Sequence, residues 1–307
     1  MLKILTASDL LLQVQALYTT GMQRGYKTGW PEIDQFYSIR PGYWTVVTGI
    51  PSHGKSTWLD NLMLNLIDQG WYFVIYSPEN MPHEIHVASL IEKYVGASFK
   101  QSDKERVTPT DLARAMSHID KHIRFLGMDE DSPGLPNMNE VLLAADEAMQ
   151  DIPEKVPVGV IVDPYNELDH SRLIGMTETE YISYELATWR QFHRTRKTHG
   201  WLVAHPAKLQ RDKKSGKYPI PTLYDINGSA HWFNKCDNGI VVWRDESAPG
   251  TVEIHVKKVR FKHDGKPGLA MLDYDARTGM YHDNHGNQAY KRVGEGTYVS
   301  YRVGDGD

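Results

Sequence analysis

Residues 49–56 read Gly49-Ile50-Pro51-Ser52-His53-Gly54-Lys55-Ser56, a complete match to the pattern G-x-x-x-x-G-K-[ST]. The apolar run WTVVT (44–48) leads into it and the helical stretch STWLDNLMLNLIDQ (56–69) leads away, so strand, loop and helix stand in the order the pattern needs. Gly49 and Gly54 let the backbone curl until its N–H groups face an anion, and the positive end of the new helix adds to that field. Lys55 is positioned to neutralise the β and γ oxygens of a nucleoside triphosphate, and Ser56 to ligate magnesium. Ser52, His53 and Thr57 complete the positions read as nucleotide-binding, although the variable fifth position, His53, has no role that the sequence defines. ATP or another nucleoside triphosphate, with Mg2+, is the expected ligand.

Outward from this loop, buried-strand runs alternate with helical stretches. The runs are WTVVTG, WYFVIYS, IRFLG, VGVIVD and WLVAH; the helices are expected over 56–69, 82–95, 110–122, 137–150 and 177–199. That alternation predicts an α/β fold, a mainly parallel central sheet flanked by helices. After about residue 238 the pattern turns to strand and turn (GIVVWRD, TVEIHVKKVRF, LAMLDYD), which predicts added antiparallel strands at the C-terminal side. Strand ends supply the chemistry. Asp163 closes VPVGVIVDP, where a phosphate loop needs an acid for its magnesium shell. Glu79 follows WYFVIYSP and is the candidate to orient an attacking water; taken alone it would read as an acid favouring a helix N-terminus. His205 ends GWLVAH, where a neutral imidazole can sense the γ-phosphate, and where an isolated histidine is more often structural.

Composition narrows the class. The 307 residues are 40% hydrophobic and 24% charged, which excludes disordered, collagen-like and fibrous chains. Lys plus Arg number 34 and Asp plus Glu 39, a net charge of −5, so any polyanion contact is local. A single cysteine, Cys236, excludes an intramolecular disulfide framework and a multi-cysteine zinc ribbon, and suits a reducing compartment. No apolar run approaches a membrane span and no signal peptide is evident, so the expectation is a cytoplasmic protein without a membrane partner.

The phosphate loop, Glu79, Asp163 and His205, in that order, give a sequence that resembles the RecA-like replicative DNA helicases, the group of DnaB, Twinkle and the helicase half of phage primase-helicases. Six blocks over roughly 26–281 carry the resemblance: RPGYWTVVTGIPSHGKST, FVIYSPEN, VGVIVDPYNEL, WLVAHPAKL, PTLYDINGSAHWFNKCDNGIVVWRD and VKKVRFKHDGKPG. The fifth, a D-I-x-G-S block before a D-N-x-x-x-x-x-R strand, is the most specific. The resemblance implies a RecA-like ATPase core in which Glu79 polarises the lytic water, Asp163 supports magnesium and His205 is the γ-phosphate switch. It further implies that Lys258 and Arg260 reach the neighbouring subunit's nucleotide, Arg260 as an arginine finger, and that Arg244 and Tyr274 sandwich the base. For residues 257–262 the plain alternative is a charged edge strand protected from aggregation. Pro164, after the aspartate, departs from the family pattern.

The implied organisation is a docking helix within 1–25, the ATPase domain at 26–281 and a flexible tail at 282–307, a helicase module without room for a primase or zinc-binding domain. Leu10, Leu11, Val14, Leu17 and Tyr18 give the first helix an apolar stripe suited to a neighbouring subunit, hence a homo-oligomer, a hexameric ring by resemblance. Residues 207–222 concentrate Lys208, Arg211, Lys213, Lys214 and Lys217 against Asp212, a net of +4, as backbone tracking of single-stranded DNA requires. Arg172 is the firm cation of a second candidate DNA segment, 166–176. The tail ending Asp305-Gly306-Asp307 suits either an inert end or a segment binding a primase or polymerase. Histidine pairs such as His118 with His122 lack a third clustered ligand, and no structural metal is expected. The leading reading is an ATP-driven ring helicase moving 5′ to 3′ on single strands, compact enough for a phage or mobile-element origin. The alternatives are a recombinase or a regulatory or scaffolding ATPase that does not unwind.

Overall fold

The computed structural model describes residues 3–128, 134–172, 174–213, 216–228, 230–245, 247–283, 288–292 and 298–302, the last two stretches as backbone only. The apolar runs form β1 (Trp44–Thr48), β2 (Tyr72–Tyr76), β3 (Ile123–Phe125), β4 (Val158–Val162), β5 (His199–Val203) and β6 (Asn238–Trp243). Every residue of β1, β2, β4 and β5 is buried, as strands covered on both faces must be. These six pair in parallel, and β7 (Thr251–Val259), β8 (Gly268–Asp275) and β9 (Met280–Asp283) continue the sheet antiparallel. The order is β3-β2-β4-β5-β1-β6-β7-β8-β9. The sheet is therefore the mainly parallel one, antiparallel at its C-terminal side, that the alternation predicts.

The helices are α1 (Leu11–Thr20), α2 (Pro31–Asp34), α3 (Lys55–Ile67), α4 (His83–Val95), α5 (Pro109–His122), α6 (Met138–Ala148), α7 (Glu178–Arg196) and α8 (His231–Lys235). Asn137 with Glu140 and Thr177 with Glu180 close reciprocal caps at the starts of α6 and α7. One core joins Trp58, Leu62 and Leu90 from α3 and α4 to Phe73 and Trp201 of the sheet; the other joins Val141, Leu186 and Trp189 from α6 and α7 to Val46, Val160 and Leu202. At about 25 cal/mol per Å² of apolar surface, such two-sided burial is the main force holding the layers.

Three expectations meet differences. Helix α7 stops at Arg196 instead of 199, because Lys197 turns left-handed (φ 56°) and His199 already belongs to β5. The expected boundary after residue 281 falls inside β9, where Asp283 pairs with Leu272 and the Tyr281 carbonyl accepts the Trp30 indole N–H (3.0 Å). Beyond it, β10 (Gln288–Arg292) and β11 (Tyr298–Arg302) pair antiparallel. Helix α1 forms and closes at Gly21 as expected, and all its residues are exposed, Leu12 at 77% and Tyr18 at 91%. Among the described residues no helix is long and apolar enough to cross a membrane.

Candidate nucleotide site

Strands β2, β4, β5 and β1 are successive neighbours running parallel, so the residues after their carboxyl ends share one edge of the sheet. Glu79, Asp163, His205 and the 49–56 loop therefore converge. Glycine is required at position 54: φ is 93° there, and a β-carbon would meet the Tyr281 hydroxyl and the Arg244 guanidinium. Lys55 is 5% exposed and its Nζ donates to the carbonyls of Gly49 (3.0 Å) and Ile50 (3.2 Å). Burial lowers its pKa, and the carboxylates of Asp163 and Glu79 oppose that shift.

Asp163 is 4% exposed at the end of β4. Burial pushes its carboxyl up to about 6, with the Ser56 hydroxyl pulling the other way, a donor set that suits a hard cation. The Asp163–Pro164 peptide is cis. His205 Nε2 lies 3.4 Å from Glu79 Oε1, and the His205 backbone N–H donates to Asn166 Oδ1 (2.9 Å). Burial and then Lys55 lower the His205 pKa while Glu79 opposes them, which favours the neutral ring. A cavity of about 470 Å³ is lined by Ser52, Gly54, Lys55, Ser56, Thr57, Glu79, His205, Arg244 and Tyr274, nearly the whole nucleotide set read from the sequence. A larger one, about 880 Å³, opens between Leu126, Pro136 and His170 and contains none of those groups. Chemistry rather than size marks the site.

Arg244 follows β6 and lies over the Tyr274 ring of β8 at 4.2 Å, bringing together residues 30 positions apart. Sequence reasoning missed three partners. Asn166 anchors the His205 backbone. Tyr281, 4% exposed, donates its hydroxyl proton to the Gly54 carbonyl and accepts from Arg244 (3.3 Å each). Asp60, on α3, is gripped by His86 (2.9 Å) and Lys93 (3.2 Å) of α4; burial raises its pKa, but Lys93 and the bond with His86 prevail and hold it below the usual value.

Other candidates lie elsewhere. Asn238 pairs with Val259, whereas Thr48 pairs with Val241, so Lys258 and Arg260 sit at the opposite edge of the sheet from their own phosphate loop. Along β6 the separation from Gly49 is about 10 Å for Lys258 and about 17 Å for Arg260. There Arg260 forms an ion pair with buried Asp237 (2.7 Å), and Lys258 donates to the Phe233 carbonyl. Lys208, Arg211, Lys213 and Lys217 are exposed on the segment between β5 and β6. Lys217 pairs with Asp245 (2.8 Å) and the Arg211 guanidinium stacks on Tyr218 (4.2 Å). Lys214 lies outside the described residues. Arg172 borders a small pocket with Asn166 and His205, which brings the second candidate segment beside His205. His118 and His122 pack as rings between Tyr94 and Tyr72.

No protein-family model matches the chain. It is 39% identical over 292 residues to a chloroplastic/mitochondrial Twinkle homolog of Arabidopsis thaliana, covering 92% of this chain and 40% of that protein. The chain thus spans well under half the length of that relative. Among solved structures it superposes on an isolated ATPase domain with a TM-score of 0.75 at 18% identity, covering 92% of this chain and 99% of that one. A DnaB-like replicative helicase described with its interactions with primase gives 0.74 at 18% identity, covering 91% and 68%. By sequence this chain is similar to part of a Twinkle homolog, and it carries the RecA-like fold of the two solved ATPase and helicase structures.

Proposed function

We propose that the chain is the motor domain of an ATP-dependent replicative DNA helicase, a ring that moves 5′ to 3′ on single-stranded DNA and separates duplex ahead of it. The carrying observation is the convergence of Lys55, Ser56, Glu79 and His205 on one cavity, with buried Asp163 bonded to the Ser56 hydroxyl. In this reading Glu79 draws a proton from water as its oxygen attacks the γ-phosphorus and the bond to the β–γ bridging oxygen breaks. Lys55 balances the charge on the β and γ oxygens, and His205, neutral and bonded to Glu79, registers the γ-phosphate and relays its loss toward residues 166–176. Ser56 and Asp163 would hold magnesium, which would supply charge neutralisation to the phosphates when bound. Arg260 and Lys258 lie too far from their own loop to take part in their own subunit, which supports completion of each site by a neighbouring copy. A trans guanidinium is worth about 10³ to 10⁵ in rate.

Single-stranded DNA is the proposed track, contacted by Lys208, Arg211, Lys213, Lys214, Lys217 and Arg172 through phosphates rather than bases. A hexamer joined by α1, a primase or polymerase as further partner, and action in the cytoplasm, of a bacterial host if phage-encoded, complete the proposal. The test is steady-state ATP hydrolysis at low salt with and without single-stranded DNA, with Lys55→Ala as background. We expect stimulation by DNA of about tenfold or more and its loss in Arg260→Ala. Hydrolysis indifferent to DNA in a confirmed oligomer would favour a regulatory ATPase instead.

A further inference from the structure

The fifth position of the phosphate loop has no role in the reading above, yet His53 is only 9% exposed. Ser52, just before it, occupies the left-handed region (φ 66°), and this turn of the loop carries the His53 ring inward to pack edge-on to Trp243 at 6.2 Å. His53 Nδ1 accepts the backbone N–H of Arg244 (3.0 Å), so it is the unprotonated ring nitrogen. The Arg244 side chain is held independently by the Tyr281 hydroxyl (3.3 Å), which passes its own proton to the Gly54 carbonyl (3.3 Å). That hydroxyl is anchored in turn: the Tyr281 backbone N–H donates to Asn61 Oδ1 (3.3 Å), and its carbonyl accepts from Trp30 (3.0 Å). Both ends of Arg244 are thus tied to consecutive residues of the phosphate loop.

From this geometry we infer that His53 and Tyr281 are positioning residues that tune the affinity of the site for the base of its nucleotide, and not for the phosphates. The inference rests on the nucleotide reading of the same site. A base inserted between two stacking partners needs them roughly 7 Å apart. The guanidinium stands 4.2 Å from the Tyr274 ring, so the side chain must swing out for a base to enter. His53 holds the Arg244 backbone fixed during that swing, and Tyr281 defines the place the guanidinium leaves and returns to. In that reading the phosphates are bound by the loop N–H groups and Lys55, whereas His53 Nδ1 bonds the Arg244 N–H and the Tyr281 hydroxyl bonds Arg244 and the Gly54 carbonyl.

The two demands separate with inorganic tripolyphosphate, which has the phosphates and no base. Its binding and that of ATP are measured by calorimetry on wild type, His53→Ala, His53→Asn and Tyr281→Phe, alongside kcat and KM for ATP. For His53→Ala we expect ATP affinity to fall about fivefold to tenfold, seen as a rise in KM with a smaller change in kcat, and tripolyphosphate affinity to stay within about twofold of wild type. His53→Asn restores an acceptor near the Nδ1 position and should recover most of the loss. Tyr281→Phe, which keeps the ring but releases the guanidinium from the place it must leave, should tighten ATP binding selectively. Equal weakening toward both ligands, or no rescue by Asn, would overturn the assignment for His53; unchanged or weaker ATP binding by Tyr281→Phe would overturn it for Tyr281. A wild type that binds tripolyphosphate no better than Lys55→Ala would instead overturn the nucleotide reading and this inference with it.

Discussion

His193, His199 and His205 lie within 13 positions of one another and meet different fates. His199 donates from Nδ1 to the Arg40 carbonyl (2.8 Å), and its Nε2 faces the Thr45 hydroxyl (2.9 Å). Burial pushes its pKa down to about 4, and burial also drives His193 well below the usual value. An unfolded histidine takes a proton near pH 6.5, so between about 6.5 and 4 the unfolded chain binds protons that these folded rings refuse. Their stabilising contribution is complete above pH 6.5 and is lost as pH falls. Asp163 acts oppositely, since its raised pKa makes stability fall as pH rises from 3.8 toward 6. Two histidines outweigh one carboxyl, so the melting temperature should drop between pH 7 and pH 5, by a few kcal/mol in stability. Thermal unfolding across that range checks it, and His199→Gln should shrink the drop. Which of these histidines faces the site was legible for His205, because a strand end after β5 has a definite location in a parallel sheet. Asn166, Tyr281 and the role of His53 were not legible. Their meaning lies in contacts such as Tyr281 to Gly54, across 227 positions, which no local pattern encodes.

Helices α3 and α4 carry the phosphate loop and the Glu79 segment respectively, and the link between them is ionic as well as apolar. Buried Asp60 faces His86 and Lys93, and Lys93 also donates to the Ser89 hydroxyl (2.5 Å). Removing one partner of a buried ion pair strands the other, which costs more than the pair contributes. Asp60→Asn should therefore destabilise the fold by about 2–4 kcal/mol, read as a fall in the denaturation midpoint at unchanged slope. The cost should shrink when Lys93→Met removes the stranded cation. At this scale the sequence was most readable: buried runs and 3.6-residue periodicity located every strand from β1 to β8 and helices α3 to α7 within a few residues. What escaped was where elements stop. Lys197 in a left-handed turn ends α7 early, and β9 continues through Asp283, because pairing with β8 supplies bonds that a polar composition does not announce.

Across the whole molecule, two features call for a second copy. Helix α1 exposes Leu11, Leu12, Val14 and Leu17, too much apolar surface for an isolated arm. Arg260 and Lys258 occupy the sheet edge opposite the phosphate loop, so a head-to-tail arrangement would bring that edge of one copy to the phosphate loop of the next, a heterologous interface of the kind that forms a ring when its rotation closes. Arg260 is paired with Asp237, which also lies 3.4 Å from Arg190 and whose side chain is 1% exposed, so the guanidinium is held by a carboxylate that has no access to water. If completion is in trans, two inactive variants can repair each other. Lys55→Ala lacks a working loop but keeps Arg260; Arg260→Ala keeps the loop but lacks the finger. Mixed after dissociation and reassembly, equimolar variants form interfaces of four kinds, and about one in four joins an intact loop to an intact finger. Hydrolysis should then recover toward a quarter of wild type, from a baseline near zero for either variant alone. No recovery in proven mixed oligomers would mean that Arg260 serves its own subunit's fold through Asp237 and that the catalytic cation lies elsewhere.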